Sequence, residues 1–127
     1  MARSILVTAC ILVFLAVMLG AFAAHALSGM LTTEMKAIFA TANQYHFYHA
    51  LGLLFIGLFM HHYPEIKLMR WSAMIMLSGV IIFSGSLYML SISGIRWLGM
   101  ITPIGGTLLL IAWLMAATAV YKIERTT

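Results

Sequence analysis

The chain has 127 residues, of which 64% are hydrophobic and 8% charged, and its formal net charge is +4. A soluble domain carries about 25% charged residues, and a core of this size cannot enclose so much apolar side chain, so a water-soluble globule is excluded. The seven basic residues are dispersed over separate polar stretches, which excludes a nucleic-acid footprint and leaves them as topology signals.

Lipid accepts apolar surface but forces every backbone N–H and C=O to pair within the protein, as helices and closed barrels do. Barrel strands alternate apolar and polar residues, whereas here the apolar runs are continuous. The predicted fold class is therefore all-α: an integral membrane four-helix bundle, one transmembrane domain over residues 1–127. A crossing needs about 20 apolar residues, and the expected spans are residues 4–26, 44–63, 71–92 and 100–121.

The first span holds 20 residues without a formal charge, from Ile5 to Ala24. It is too long for the apolar region of a signal peptide, and Cys10 has too little apolar sequence before it to be a lipoprotein cleavage site. That single cysteine reads as a small buried hydrophobe. Ser28-Gly29 is expected to break the helix, with Thr32 or Thr33 capping the next and Glu34 placed against the positive end of its dipole.

In the second span the strictly apolar part, Ala50 to Met60, is short. The crossing must recruit the Asn43, Gln44, Tyr45, His46, Tyr48 and His49 stretch before it, and the mixed residues from Glu34 to Gln44 suggest an interfacial helical segment ahead of the span. His61 and His62 are expected to face water.

The third span carries Ser72, Gly79, Ser86 and Ser93 at seven-residue intervals, with Ser78 and Gly85 alongside. In lipid, helices associate by close backbone approach at small residues, so this stripe is read as a packing seam. In the fourth segment Pro103 either kinks a helix or occupies its first turn after a Thr102 cap. The second reading is preferred, with Trp97 to Ile101 forming an interfacial turn.

Four crossings put both termini and the second loop on one side. That side holds Arg3, Lys67, Arg70, Lys122 and Arg125 against Lys36 and Arg96 on the other, so the termini are predicted to be cytoplasmic. Trp71, Trp97 and Tyr121 fall near span ends, as interfacial rings do.

An ionisable group at membrane depth is a candidate for function. His46 and His49 lie three apart on one helical side, and His25, at the end of the first span, is expected to approach His49 if the first two helices are antiparallel neighbours. A metal centre wants three or four ligands, and no acidic residue or cysteine accompanies these histidines; His25 and His49 are the only ligands one would try, and no metal or cofactor is expected. Glu34, Glu65 and Glu124 all lie outside the spans, so a pump-like carboxylate relay has no candidate, and neither a phosphate loop nor a nucleophile elbow is present.

The stretches Gly20-Ala21-Phe22-Ala23-Ala24-His25-Ala26-Leu27, Tyr48-His49-Ala50-Leu51, Phe83-Ser84-Gly85-Ser86-Leu87-Tyr88 and Thr102-Pro103-Ile104-Gly105-Gly106 together resemble the YgdD/YwdK-type small bacterial inner-membrane proteins, a family of unknown function related to transmembrane protein 256. Ala23 departs from a glycine frequent in that family. The resemblance implies a multi-pass protein of the bacterial inner membrane with about four helices and lends no catalytic residue. The matching positions rank as candidate functional residues: His25, His49, Ser84, Gly85, Ser86, Tyr88, Thr102 and Pro103, with His46 and Tyr48 beside them.

The expected role is that of a non-enzymatic helical bundle in the lipid bilayer. It would act by packing, as a homo-oligomer handling a small solute or as a subunit of a membrane complex. The alternative is a histidine-based haem or metal redox module, and a membrane enzyme using Ser84 or Ser86 with a histidine ranks third.

Overall fold

A computed structural model describes residues 1–124; Arg125, expected on the side of the termini, lies outside the described residues. Four α-helices follow in order: α1 (Ala2–His25), α2 (Thr33–His62), α3 (Lys67–Ser93) and α4 (Thr102–Glu124), with a 3-10 turn, Arg96–Met100, before the last. The described residues contain no strand. In chain order, α1, α3 and the Arg96–Ile123 segment holding α4 are long and apolar enough to cross a membrane. Although α2 is the longest helix, the polar residues of its first half keep it outside that group.

Local chemistry sets the helix ends. The first helix stops at His25, ahead of Ser28-Gly29, where the Ala26 N–H closes on the Phe22 carbonyl. Thr32 caps α2 by accepting from the Met35 N–H at 3.2 Å, with Glu34 in the first turn. Gly94 ends α3 at φ 72°, the left-handed conformation that glycine adopts without a Cβ penalty. Pro103 stands in the first turn of α4, where its missing N–H costs nothing. Thr102 does not cap that helix with its hydroxyl, which is turned to Ser86 instead.

The helices pack serially. Extensive contact joins α1 to α2, α2 to α3 and α3 to α4, each pair antiparallel. On α1 and α2, Leu6 faces Gly57 and Ala16 faces Asn43. On α2 and α3, Met76 faces Gly52 and Ser84 faces Ala42. On α3 and α4, Ser72 donates to the Ala112 carbonyl at 2.7 Å, and Gly79 lies against Leu109 and the Gly105 carbonyl. The seven-residue stripe is thus the α3–α4 seam over Ser72, Gly79 and Ser86; Ser93 is exposed and bonds back to Met89.

The apolar core runs through Ile5, Leu53, Met69, Met76, Val80 and Leu109, filled in by alanines. Elsewhere the outer faces are greasy: Phe14 is 65% exposed and Leu114 70%, as suits side chains solvated by lipid. Cys10 lies on such a face, which corrects its reading as a buried hydrophobe: α1 is an outer helix and buries only Ile5, Ala9 and Ala16. The interfacial segment is likewise not a separate element. It forms the first turns of an unbroken α2, held on the neighbouring helices through buried Phe39 and Ala42.

Candidate functional site

The polar residues of α2 turn inward. Asn43 donates from Nδ2 to the Ala16 carbonyl of α1 at 2.8 Å and to the Tyr88 hydroxyl of α3 at 3.1 Å. Tyr88 Oη lies 2.9 Å from His46 Nδ1. Because that oxygen already accepts from the amide, its own hydrogen is left to donate to Nδ1, which assigns His46 as the neutral tautomer protonated at Nε2. Nε2 is buried with no hydrogen-bond partner. The Leu12 carbonyl of α1 lies near the ring but outside hydrogen-bonding geometry. Phe39 closes the far side edge-on to the Tyr88 ring, with centroids 5.0 Å apart. Three helices therefore meet at one polar knot inside apolar packing.

One turn further along α2, His49 takes a different environment. Its Nδ1 donates to the Tyr45 carbonyl at 2.7 Å, which leaves Nε2 as an acceptor. The ring stacks on Tyr45 at 5.9 Å and meets Trp113 of α4 at 6.0 Å. Tyr45, His49, Phe83 and Trp113 border a groove of about 270 Å³ whose remaining wall is Gly106, Leu109 and Leu110.

The remaining candidate residues are scattered over the fold. Ser86 and Thr102 share a 2.7 Å hydroxyl contact across the α3–α4 seam, while Ser86 also donates to the Phe83 carbonyl. Ser84 donates to the Ala42 carbonyl at 2.8 Å. Neither serine is bonded to an imidazole, so the Ser–His pair of the enzyme reading is not formed. Tyr48 points outward at 57% exposure. Gly85 has no neighbouring atom where a Cβ would stand, and Pro103 is exposed.

His25 and His49 do not converge, contrary to expectation. With Ala16 level with Asn43 in an antiparallel pair, His49 is level with residue 10 of α1, and His25 is about 20 Å away along the axis. Among the described residues no three of His, Cys, Asp or Glu are grouped to hold a metal ion.

Asn43 and Gly20 are the residues that sequence reasoning missed. Asn43 is the hub of the knot, and a Cβ on Gly20 would stand 2.9 Å from its Oδ1. The available signal was an amide inside a membrane helix, which is costly unless bonded.

A helical framework with apolar outer faces and polar groups satisfied between helices defines an integral membrane protein. A family model described as "Protein of unknown function (DUF423)" matches residues 19–106, and the chain belongs to that family. The UPF0382 membrane protein YwdK of Bacillus subtilis is 42% identical over 108 residues, covering 85% of this chain and 88% of that protein. A UPF0382 membrane protein of Haemophilus influenzae is 38% identical, covering 86% of each chain. The UPF0382 inner membrane protein YgdD of Escherichia coli is 32% identical over 123 residues, covering 97% of this chain and 93% of that protein. No solved structure matches.

Proposed function

We propose that all four helices cross the bacterial inner membrane, with the termini cytoplasmic, and that the protein is a non-enzymatic assembly subunit acting through its open side. Support for the fourth crossing comes from α2 running antiparallel between α1 and α3, sharing their thickness while hiding Asn43, His46 and His49 inside.

One observation carries the assembly reading: the row of helices is open. Extensive packing among the described residues stops at α4 on one end and α1 on the other, and between α2 and α4 lies a cleft of about 500 Å³ walled by Gly52, Phe55, Phe59, Trp113, Ala116 and Val120. Ala117 is exposed on that side of α4, and a small residue there allows the close helix approach on which association in lipid depends. A second copy of the chain, or a partner helix in a larger complex, fits that side. Disulfide crosslinking in native membranes tests it, with single cysteines introduced in a Cys10→Ser background. Ala117→Cys is expected to give a crosslinked species and Phe14→Cys is not; a chain that stays uncrosslinked at both, and runs as a partnerless monomer in mild detergent, defeats the reading.

A further inference from the structure

Lys36 carries a charge that no ion pair among the described residues answers. The chain has three acidic side chains, Glu34, Glu65 and Glu124. Arg96 engages Glu34, with Nη1 to Oε1 at 3.2 Å and Nη2 to Oε2 at 3.3 Å. Glu65 follows the far end of α2, whose last residue, His62, is 26 positions beyond Lys36, about 40 Å along the axis. Glu124 ends α4, which runs from the Arg96 side toward that same far end. Among the described residues no ion pair reaches Lys36.

Lys36 also lines a cavity of about 350 Å³ between the end of α1 and the start of α2, within the size range of small-ligand sites. Gly20, Ala24, Leu27 and Ala40 give it apolar walls, and Asn43, seven residues along α2 from Lys36, forms its inner end. The lysine marks the end at which α1 leaves its apolar run, which is headgroup depth for a crossing helix. A cation at the headgroup and an apolar recess below it are complementary to one kind of bilayer component.

We propose that this cavity is a binding site for an anionic phospholipid, with the phosphate on the Lys36 ammonium and part of an acyl chain against the alanine and leucine wall. The proposal needs lipid around α1 and does not depend on lateral association through the α2–α4 cleft. Glycine at position 20 and alanines at 24 and 40 keep the recess open. The Glu34–Arg96 pair removes the nearest carboxylate from competition for Lys36.

Native mass spectrometry tests this on the full chain, released from nanodiscs of mixed phosphatidylglycerol and phosphatidylcholine. Retained lipid is expected to be enriched in phosphatidylglycerol about fivefold over its bilayer fraction, the preference that one lysine at the surface confers. Lys36→Gln abolishes the enrichment, Lys67→Gln at the opposite end preserves it, and Ala40→Leu lowers total retained lipid with helicity unchanged by circular dichroism. If Ala40→Leu is not recovered folded, Ala23→Leu, on the same wall, replaces it. Retention of the two lipids in bilayer proportion overturns the proposal, as does full enrichment in Lys36→Gln. Saturable binding of inorganic phosphate to lipid-free protein, lost in Lys36→Gln, overturns the lipid assignment.

Discussion

The Tyr88 hydroxyl stands 2.9 Å from Nδ1 of His46 and 3.1 Å from Nδ2 of Asn43, so one oxygen of α3 ties together two side chains of α2. Without that oxygen the buried imidazole keeps no hydrogen-bond partner, and the amide keeps only the Ala16 carbonyl. Tyr88→Phe keeps the ring and its edge contact with Phe39 while taking the oxygen away. Its expected cost is about 1–2 kcal/mol, the range for leaving buried polar groups unpaired. Reversible unfolding in mixed micelles checks it. His46→Leu combined with Tyr88→Phe is expected to cost less than the sum of the two single changes, because the imidazole left unpaired in Tyr88→Phe is then gone.

Two glycines separate packing from mere smallness. A Cβ on Gly105 would meet the Phe83 backbone, lying 2.7 Å from its Cα and closer still to its nitrogen, and backbone cannot swing aside as a side chain can. Gly105→Ala is expected to push α4 off α3 and to cost about 1–3 kcal/mol, as overpacking does. Gly85 has nothing within 4 Å of its added Cβ, so Gly85→Ala is expected to leave stability unchanged or slightly raised, since alanine is the better helix former. The same micelle titration, run on both variants, measures the contrast.

The membrane class and the helical architecture were legible because they rest on composition and run length, which average over many residues. The seam was legible too, since the seven-residue interval of Ser72, Gly79 and Ser86 is a property of one helix that survives into the folded contact with α4. What stayed hidden depends on rotation between helices. His46 and His49 were expected on one side, yet one bonds across to Tyr88 and the other faces Trp113. Their spacing cannot say which neighbour each meets. The same limit hid Asn43, whose partners lie 27 and 45 residues away in the chain, and it misjudged Cys10, whose exposure follows from α1 having a neighbour on one side only.

Gly20 offers a test of the knot from its α1 side. An added Cβ would sit 2.9 Å from Asn43 Oδ1, so the amide must rotate or retreat, and either movement disturbs its bonds to Ala16 and Tyr88. Gly20→Ala is expected to destabilise by about 1 kcal/mol, close to the net worth of one hydrogen bond, even though alanine has the higher helix propensity. In an Asn43→Ala background the same substitution is expected to be neutral or favourable, because the obstructing oxygen is gone. A double-mutant cycle reads the difference as coupling between the two positions; equal effects in both backgrounds mean that Gly20 does not act through Asn43.

The crossing of α2 yields the sharpest topological expectation, because its first half carries the polar residues that keep it from being recognised by hydropathy. If α2 traverses the bilayer, the α1–α2 loop and the 3-10 turn share one side, as the Glu34–Arg96 pair requires of them, and the α2–α3 loop opens on the other. Met30, Trp97 and Glu65 are exposed in those three connections and take cysteine without disturbing a cap. In a Cys10→Ser background, a membrane-impermeant maleimide added to intact cells is expected to label Met30→Cys and Trp97→Cys and to reach Glu65→Cys only after the membrane is opened. The reversed pattern would keep the four crossings and invert the orientation, whereas Met30→Cys and Glu65→Cys labelling from one side and Trp97→Cys from the other would show that α2 lies along the surface of a three-crossing protein.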